Sequence, residues 1–131
     1  MIPWLSPAPV FPPVTRALAE PNGLLAAGGD LSAERLPAAY RLGIFPWDAA
    51  GEPTLWWSPA PRMVLLPAEI RLSRSLRRTL RHGRYQVRLD TAFDDVVAAC
   101  AEAPRHGQPA ARLPVEMQDA YRRLHRLGHA H

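Results

Sequence analysis

Proline spacing limits this chain before any other feature does. Six of the first 21 residues are proline (Pro3, Pro7, Pro9, Pro12, Pro13 and Pro21). A ring that locks φ and removes a backbone N–H forbids a regular helix there. Residues 1 to 30 are therefore expected to form an irregular arm that docks on a core or stays loose. Prolines and arginines also interrupt every apolar run before it approaches the roughly 18 residues that a membrane span needs. The start, Met1-Ile-Pro-Trp-Leu-Ser-Pro7, lacks the basic segment and long apolar stretch of a secretory signal. A cytoplasmic protein without membrane association is expected. At 131 residues the chain has the size of one domain with a real core and is too short for two complete ones.

Turn and helix signals divide the rest. Asn22-Gly23 and Gly28-Gly29-Asp30 read as turns around the apolar Leu24-Leu-Ala-Ala27. Glycines beside an aspartate invite a phosphate-loop reading, but neither G-x-G-x-x-G nor the Lys-Ser/Thr of a P-loop is present, so a plain turn is preferred. Ser32 is placed to cap a helix through about Leu42, with Leu36, Ala39 and Tyr40 at helical spacing and Gly43 at its stop. Pro37 inside it predicts a late start or a bend. Leu55-Trp-Trp57 and Met63-Val-Leu-Leu66 predict short strands, joined by the extended crossing that the X-Pro units of Ser58-Pro-Ala-Pro61 impose.

Ser73 caps a predicted helix from Arg74 to about His82, closed by Gly83, and Tyr85-Gln-Val-Arg-Leu89 alternates like a half-buried strand. Asp90 or Thr91 starts a helix with Phe93, Val96, Val97 and Cys100 at i, i+3, i+4 and i+7, and with Asp94 and Asp95 suited to its first turn. Pro114 opens a last helix with Met117, Tyr121 and Leu124 and a stop at Gly128. His129-Ala-His131 is expected to begin a strand.

Charge placement says more than total charge. The net charge is +4 and all sixteen basic residues counted in it are arginines, a bias that a GC-rich genome also produces. Between Glu69 and Asp90, however, there is no acidic residue, while Arg71, Arg74, Arg77, Arg78, Arg81, Arg84 and Arg88 stand there. On the predicted helix Arg74, Arg77, Arg78 and Arg81 share one arc, and Leu72, Leu76 and Leu80 lie opposite. Guanidinium groups pair bidentately with phosphate and keep their charge, so these four are candidate nucleic-acid contacts; the competing reading is a solvated helix face.

Nucleophile and metal signals are weak. Cys100, the single cysteine, has no disulfide partner and no metal-ligand spacing around it, and its place on an apolar stripe predicts core packing. Ser58 lies in no G-x-S-x-G elbow, and His125, His129 and His131 compose neither a triad nor a metal set. No metal is expected. Three of the four tryptophans fall between Trp47 and Trp57, which suits a pocket or a small aromatic core.

Taken together, Gly23-Leu-Leu-Ala-Ala-Gly-Gly-Asp-Leu-Ser32, Ala39-Tyr-Arg-Leu-Gly-Ile-Phe-Pro-Trp47 and Trp56-Trp-Ser-Pro-Ala-Pro-Arg62 resemble the N-terminal half of the bacterial leucyl/phenylalanyl-tRNA–protein transferases. The likeness continues through Ser73-Arg-Ser-Leu76, Asp90-Thr-Ala-Phe93, Val97-Ala-Ala-Cys-Ala101 and Ala120-Tyr-Arg-Arg-Leu-His-Arg-Leu-Gly-His-Ala-His131. It implies an α+β fold: a small N-terminal α/β domain over residues 1–64, then over 65–131 the incomplete beginning of an acetyltransferase-like (GNAT-like) domain. Members of that family move Leu or Phe from charged tRNA onto proteins that begin with Arg or Lys, which marks them for degradation. The implied partners are Leu-tRNA, Phe-tRNA and such acceptor proteins.

No cofactor is implied, because the tRNA ester is already activated and the acceptor's α-amine attacks its carbonyl. The resemblance assigns Tyr40 and Trp47 to the aminoacyl-adenosine site and Arg74, Arg77, Arg78 and Arg81 to tRNA; Trp56 and Trp57 match the family motif too and are read here as structural. It places the catalytic polar groups in a second half, so this chain alone is expected to transfer slowly or not at all. One departure stands out: the family's Gly-Thr-Trp-Ile or Gly-Thr-Trp-Leu is here Gly107-Gln-Pro-Ala-Ala-Arg-Leu-Pro114, without tryptophan. Two alternatives are a non-enzymatic tRNA-binding remnant that keeps the arginine face, and a shortened gene product with an exposed strand edge.

Overall fold

A computed structural model describes residues 1–47, 52–102 and 113–131. In chain order its elements are β1 (Leu24–Ala27), α1 (Arg35–Arg41), β2 (Phe45–Pro46), β3 (Leu55–Trp57), α2 (Arg74–His82), α3 (Phe93–Glu102) and α4 (Val115–Arg126). The class is α+β. The tryptophan-free stretch 107–112 lies outside the described residues.

The strands make one antiparallel sheet in the order β1-β3-β2. Leu24 pairs with Trp57 and Ala26 with Trp56, with a bulge between Leu24 and Ala26, while Phe45 and Pro46 pair with Trp57 and Trp56. Pro46 has no N–H to give and sits on an edge strand, where none is needed. Leu24–Ala27 forms a strand although its sequence shows only an apolar run between turns. Leu24, Leu25 and Ala26 are all buried, so both faces are covered and no alternation appears.

The proline-rich arm docks. Leu5 donates its N–H to the carbonyl of Ala27 at 2.8 Å, and Ala27 donates to Pro3 at 3.0 Å. Gly28, with φ +76°, leaves the space for the Trp4 indole that any Cβ would occupy. Arg35 clamps the arm: fully buried, it donates from Nη2 to the carbonyls of Ser6 (2.8 Å) and Pro7 (3.0 Å) and from Nε to Asp30 (3.1 Å). Asp30 beside the two glycines therefore serves an arginine, consistent with the plain-turn reading.

Pro37 explains where α1 begins. Ser32 Oγ accepts the Arg35 N–H at 3.2 Å, and the helix starts at Arg35. Pro37 then falls in the first turn, between the N–H groups of Leu36 and Ala38 that donate to the Ser32 (3.1 Å) and Glu34 (3.4 Å) carbonyls, so its ring costs the helix a single bond near its start.

The buried cluster joins Leu5, Leu25, Ala26, Leu36, Ala39, Ile44 and Trp56 to Ala120 and Leu124 of α4. Trp56 is its centre, fully buried, donating from Nε1 to the Gly28 carbonyl at 2.8 Å and meeting Phe11 edge-on at 4.8 Å between centroids. The structural role expected for Trp56 is seen directly. On its other side α4 packs against α3, with Val97, Ala101 and Met117 buried. Asp90, in the left-handed region at φ +56°, accepts from His131 Nδ1 at 2.9 Å, and the His125 ring stacks on Phe93 at 4.0 Å.

Four sequence expectations are corrected here. Cys100 is exposed, because α3 has a single covering helix and the buried arc narrows to Val97 and Ala101, leaving Val96 and Cys100 on its outer edge. Met63-Val-Leu-Leu66 and Tyr85-Gln-Val-Arg-Leu89 are not strands, nor is His129-Ala-His131. Among the described residues none of the three has a strand beside it, and a lone strand leaves its backbone groups unpaired.

Candidate nucleic-acid interface

Local sequence alone builds α2. Ser73 Oγ accepts the Leu76 N–H at 3.1 Å, and Gly83 closes the helix at φ +61° with its N–H directed to the Leu80 carbonyl. Arg74, Arg77, Arg78, Arg81 and His82 line one open concavity on this helix. The spacing therefore brings the four predicted arginines together on one face.

That face carries uncompensated charge. Among the described residues the arginine–carboxylate pairs are Arg35–Asp30, Arg122–Asp94 and Arg122–Asp119, and none involves α2. Within the helix the partner is an imidazole and not a carboxylate: Arg78 Nε donates to His82 Nε2 at 3.3 Å. Four guanidinium groups in solvent with no carboxylate beside them attract a polyanion, and such contacts hold a phosphate backbone without reading its sequence.

The predicted aromatic pair lies elsewhere. Tyr40 on α1 and Trp47 just after β2 are 40% and 50% exposed, and α1 packs against β2. The Tyr40 hydroxyl meets the Tyr121 hydroxyl of α4 at 3.1 Å. Burial, and after it the bond with Tyr121, pushes the Tyr40 phenol well above its ordinary value, so it stays neutral. Tyr121 is a polar partner that sequence reasoning passes over: its i+4 spacing from Met117 marks it only as part of an apolar stripe. Nothing in the spacing reports a contact across 81 residues. Between α2 and the elements carrying Tyr40 and Trp47 there is no extensive packing among the described residues.

The remaining candidates are occupied structurally. Ser58 Oγ faces the Gly43 carbonyl at 3.4 Å and Arg62 Nη2 at 3.4 Å, His125 Nδ1 faces the Ala130 carbonyl at 2.9 Å, and His131 holds Asp90. None of these joins a hydroxyl to an imidazole. No group of three or more metal-ligating side chains occurs among the described residues.

Comparison with known proteins bears on both stretches. The family model described as leucyl/phenylalanyl-tRNA protein transferase matches residues 64–131, and the model of its N-terminal domain matches residues 29–60. A leucyl/phenylalanyl-tRNA–protein transferase of Chromobacterium violaceum is 61% identical over 131 residues, all of this chain and 56% of the relative. One of Aromatoleum aromaticum is also 61% identical over the whole chain and 55% of the relative. One of Nitrosomonas europaea is 60% identical over 121 residues, 92% of this chain and 51% of the relative. The chain thus spans about half the length of the curated relatives it matches. On a family model covering more than half its residues and on identity sustained along its whole length, the chain belongs to the leucyl/phenylalanyl-tRNA–protein transferase family.

Proposed function

We propose that this chain is the tRNA-engaging portion of an aminoacyltransferase that moves Leu or Phe from charged tRNA to the N-terminal Arg or Lys of acceptor proteins. The carrying observation is the arginine face of α2, four guanidinium groups with no carboxylate partner among the described residues. The chemistry balances without a cofactor. The acceptor's α-amine nitrogen forms an amide bond to the aminoacyl carbonyl carbon, the ester C–O bond to the terminal ribose breaks, and the ribose hydroxyl leaves with a proton. Orientation and stabilisation of the oxyanion are what a protein adds to such a step. Tyr40, neutral and half exposed, and Trp47 offer a hydroxyl and a ring face for the terminal adenosine and its side chain.

The same reading places the protein in the cytoplasm, where charged tRNA is found; no helix among the described residues is long and apolar enough to cross a membrane. It divides the chain near residue 64, with residues 65–131 opening an acetyltransferase-like fold. Limited proteolysis cutting first between residues 60 and 70 would support that division.

A salt series of tRNA binding tests the function. Affinity should fall with a log–log slope of about 0.7 to 0.9 per neutralised phosphate. Reversing Arg74, Arg77, Arg78 and Arg81 to Glu should abolish that salt-sensitive binding; an unchanged affinity would overturn the reading. Equal binding of Leu-charged and uncharged tRNA, with no transfer to an Arg-initiated peptide, would instead favour the non-enzymatic remnant.

A further inference from the structure

Arg62 is exposed, yet its guanidinium is held by three neighbours. Nη2 donates to the Gly43 carbonyl at 2.8 Å and to Ser58 Oγ at 3.4 Å, and the group lies over the Phe45 ring, 5.7 Å from its centroid. Among the described residues no carboxylate pairs with it. Both bonds use Nη2, which leaves the Nε and Nη1 hydrogens and the full positive charge to an anion. A guanidinium ordered in this way has already lost much of the rotamer freedom that binding an anion otherwise costs.

Its position selects the anion. Trp47 continues the β2 ladder by donating its N–H to the Leu55 carbonyl at 2.9 Å, so Phe45 and Trp47, two residues apart, share one face. The guanidinium over Phe45 is therefore on the Trp47 side of the sheet, about 6 to 7 Å along the strand from Trp47, the rise of two residues. Gly43, whose carbonyl Arg62 binds, also donates its N–H to the Tyr40 carbonyl at 3.0 Å, which ties the same spot to the end of α1. A base stacked on Trp47 has its own 5′-phosphate one sugar away, within reach of that guanidinium. We propose that Arg62 binds the phosphodiester on the 5′ side of the terminal adenosine of charged tRNA, and so sets where that nucleoside rests against Trp47. The assignment rests on the reading of Tyr40 and Trp47 as the adenosine site. The α2 arginines take the RNA backbone on a separate element, and Arg62 takes its last linkage.

Adenosine, adenosine 5′-monophosphate and adenosine 3′-monophosphate are titrated into the full 131-residue chain at low salt, with the Trp47 indole N–H shift as readout. The 5′-monophosphate should bind about five-fold tighter than adenosine. Arg62→Gln should bring the two to parity and leave adenosine affinity and the melting curve unchanged, while Arg62→Lys, which keeps a charge, should restore part of the preference. The 3′-monophosphate carries the same charge at the other end of the ribose and should not respond to Arg62. On intact tRNA, Arg62→Gln should lower the log–log salt slope by about one. A 5′ preference that survives Arg62→Gln, or an equal loss for both monophosphates, would overturn the proposal. So would a joint fall of adenosine affinity and melting temperature in Arg62→Gln, which names a structural clamp on Gly43 and Ser58. An unchanged tRNA slope beside a lost 5′ preference would refute the RNA assignment in favour of a free nucleotide. Failure of the unmodified chain to bind adenosine at all would sink the adenosine-site reading and this proposal with it, whereas the outcome for the α2 variants bears on neither.

Discussion

Trp56 shows how much one side chain carries in a core this small. It fills the centre of the buried cluster and satisfies the Gly28 carbonyl through Nε1. Trp56→Phe removes ring volume and strands that carbonyl, and should lower stability by about 2 to 4 kcal/mol in urea unfolding. Arg35 is the second such residue. Its bonds to Ser6, Pro7 and Asp30 end together if it is truncated, so Arg35→Ala should lose about 2 to 4 kcal/mol and release the arm to proteolysis near Pro7. Asp30 gives this clamp a pH dependence. Hydrogen bonding from the Ser32 side chain, then from its backbone N–H and from Arg35, holds the Asp30 carboxyl below the usual carboxylate range against opposing desolvation. Its stabilising contribution is therefore complete above the unfolded value near pH ~4 and fades as pH falls through the lower folded value. Because Asp30 is 61% exposed the contribution is small, and Asp30→Asn should flatten only that acid limb of the stability curve.

Among the elements, α2 depends on its ends. Nine residues are too few for a stable isolated helix in water, and no other element packs extensively on this one among the described residues. The Ser73 cap and the left-handed Gly83 supply what holds it. Ser73→Ala should weaken the helix by about 1 kcal/mol, read from Cα chemical shifts of residues 74–82, while the core melt stays unchanged. In contrast, β1 and β2 have no such local signals and exist because β3 lies between them. Their sequences say little: four buried residues and a two-residue edge containing proline.

At the scale of the molecule, α4 ties the last residues of the chain to the first. Leu124 is packed in the same cluster as Leu5 and Trp56, and Tyr121 bonds Tyr40. Leu124→Ala should therefore lower the stability of the sheet itself by about 2 to 5 kcal/mol, seen as a shifted transition in tryptophan fluorescence, since all four tryptophans belong to the N-terminal portion. A core built from residues 1–56 alone would leave that transition in place. The exposed run 60–92 lies outside this core, so Val87→Asp should leave the unfolding transition unchanged to within about 0.5 kcal/mol.

Local chemistry made several features legible in the amino-acid order. Caps at Ser73 and Gly83, the arginine arc of α2, the stripe of α4 and the turn at Gly28-Gly29 all rest on interactions within a few residues, and each is where its residues predict. The motifs at Gly23–Ser32, Ala39–Trp47 and Trp56–Arg62 likewise sufficed to reach the family. Contacts between distant residues were not legible. Whether Tyr85–Leu89 pairs, whether Cys100 is covered, which hydroxyl Tyr40 meets and what buries Arg35 depend on the surfaces that folding brings alongside. A side-chain period records which face is apolar, but burial requires a second surface to exclude water from it, and that surface is set by the tertiary arrangement.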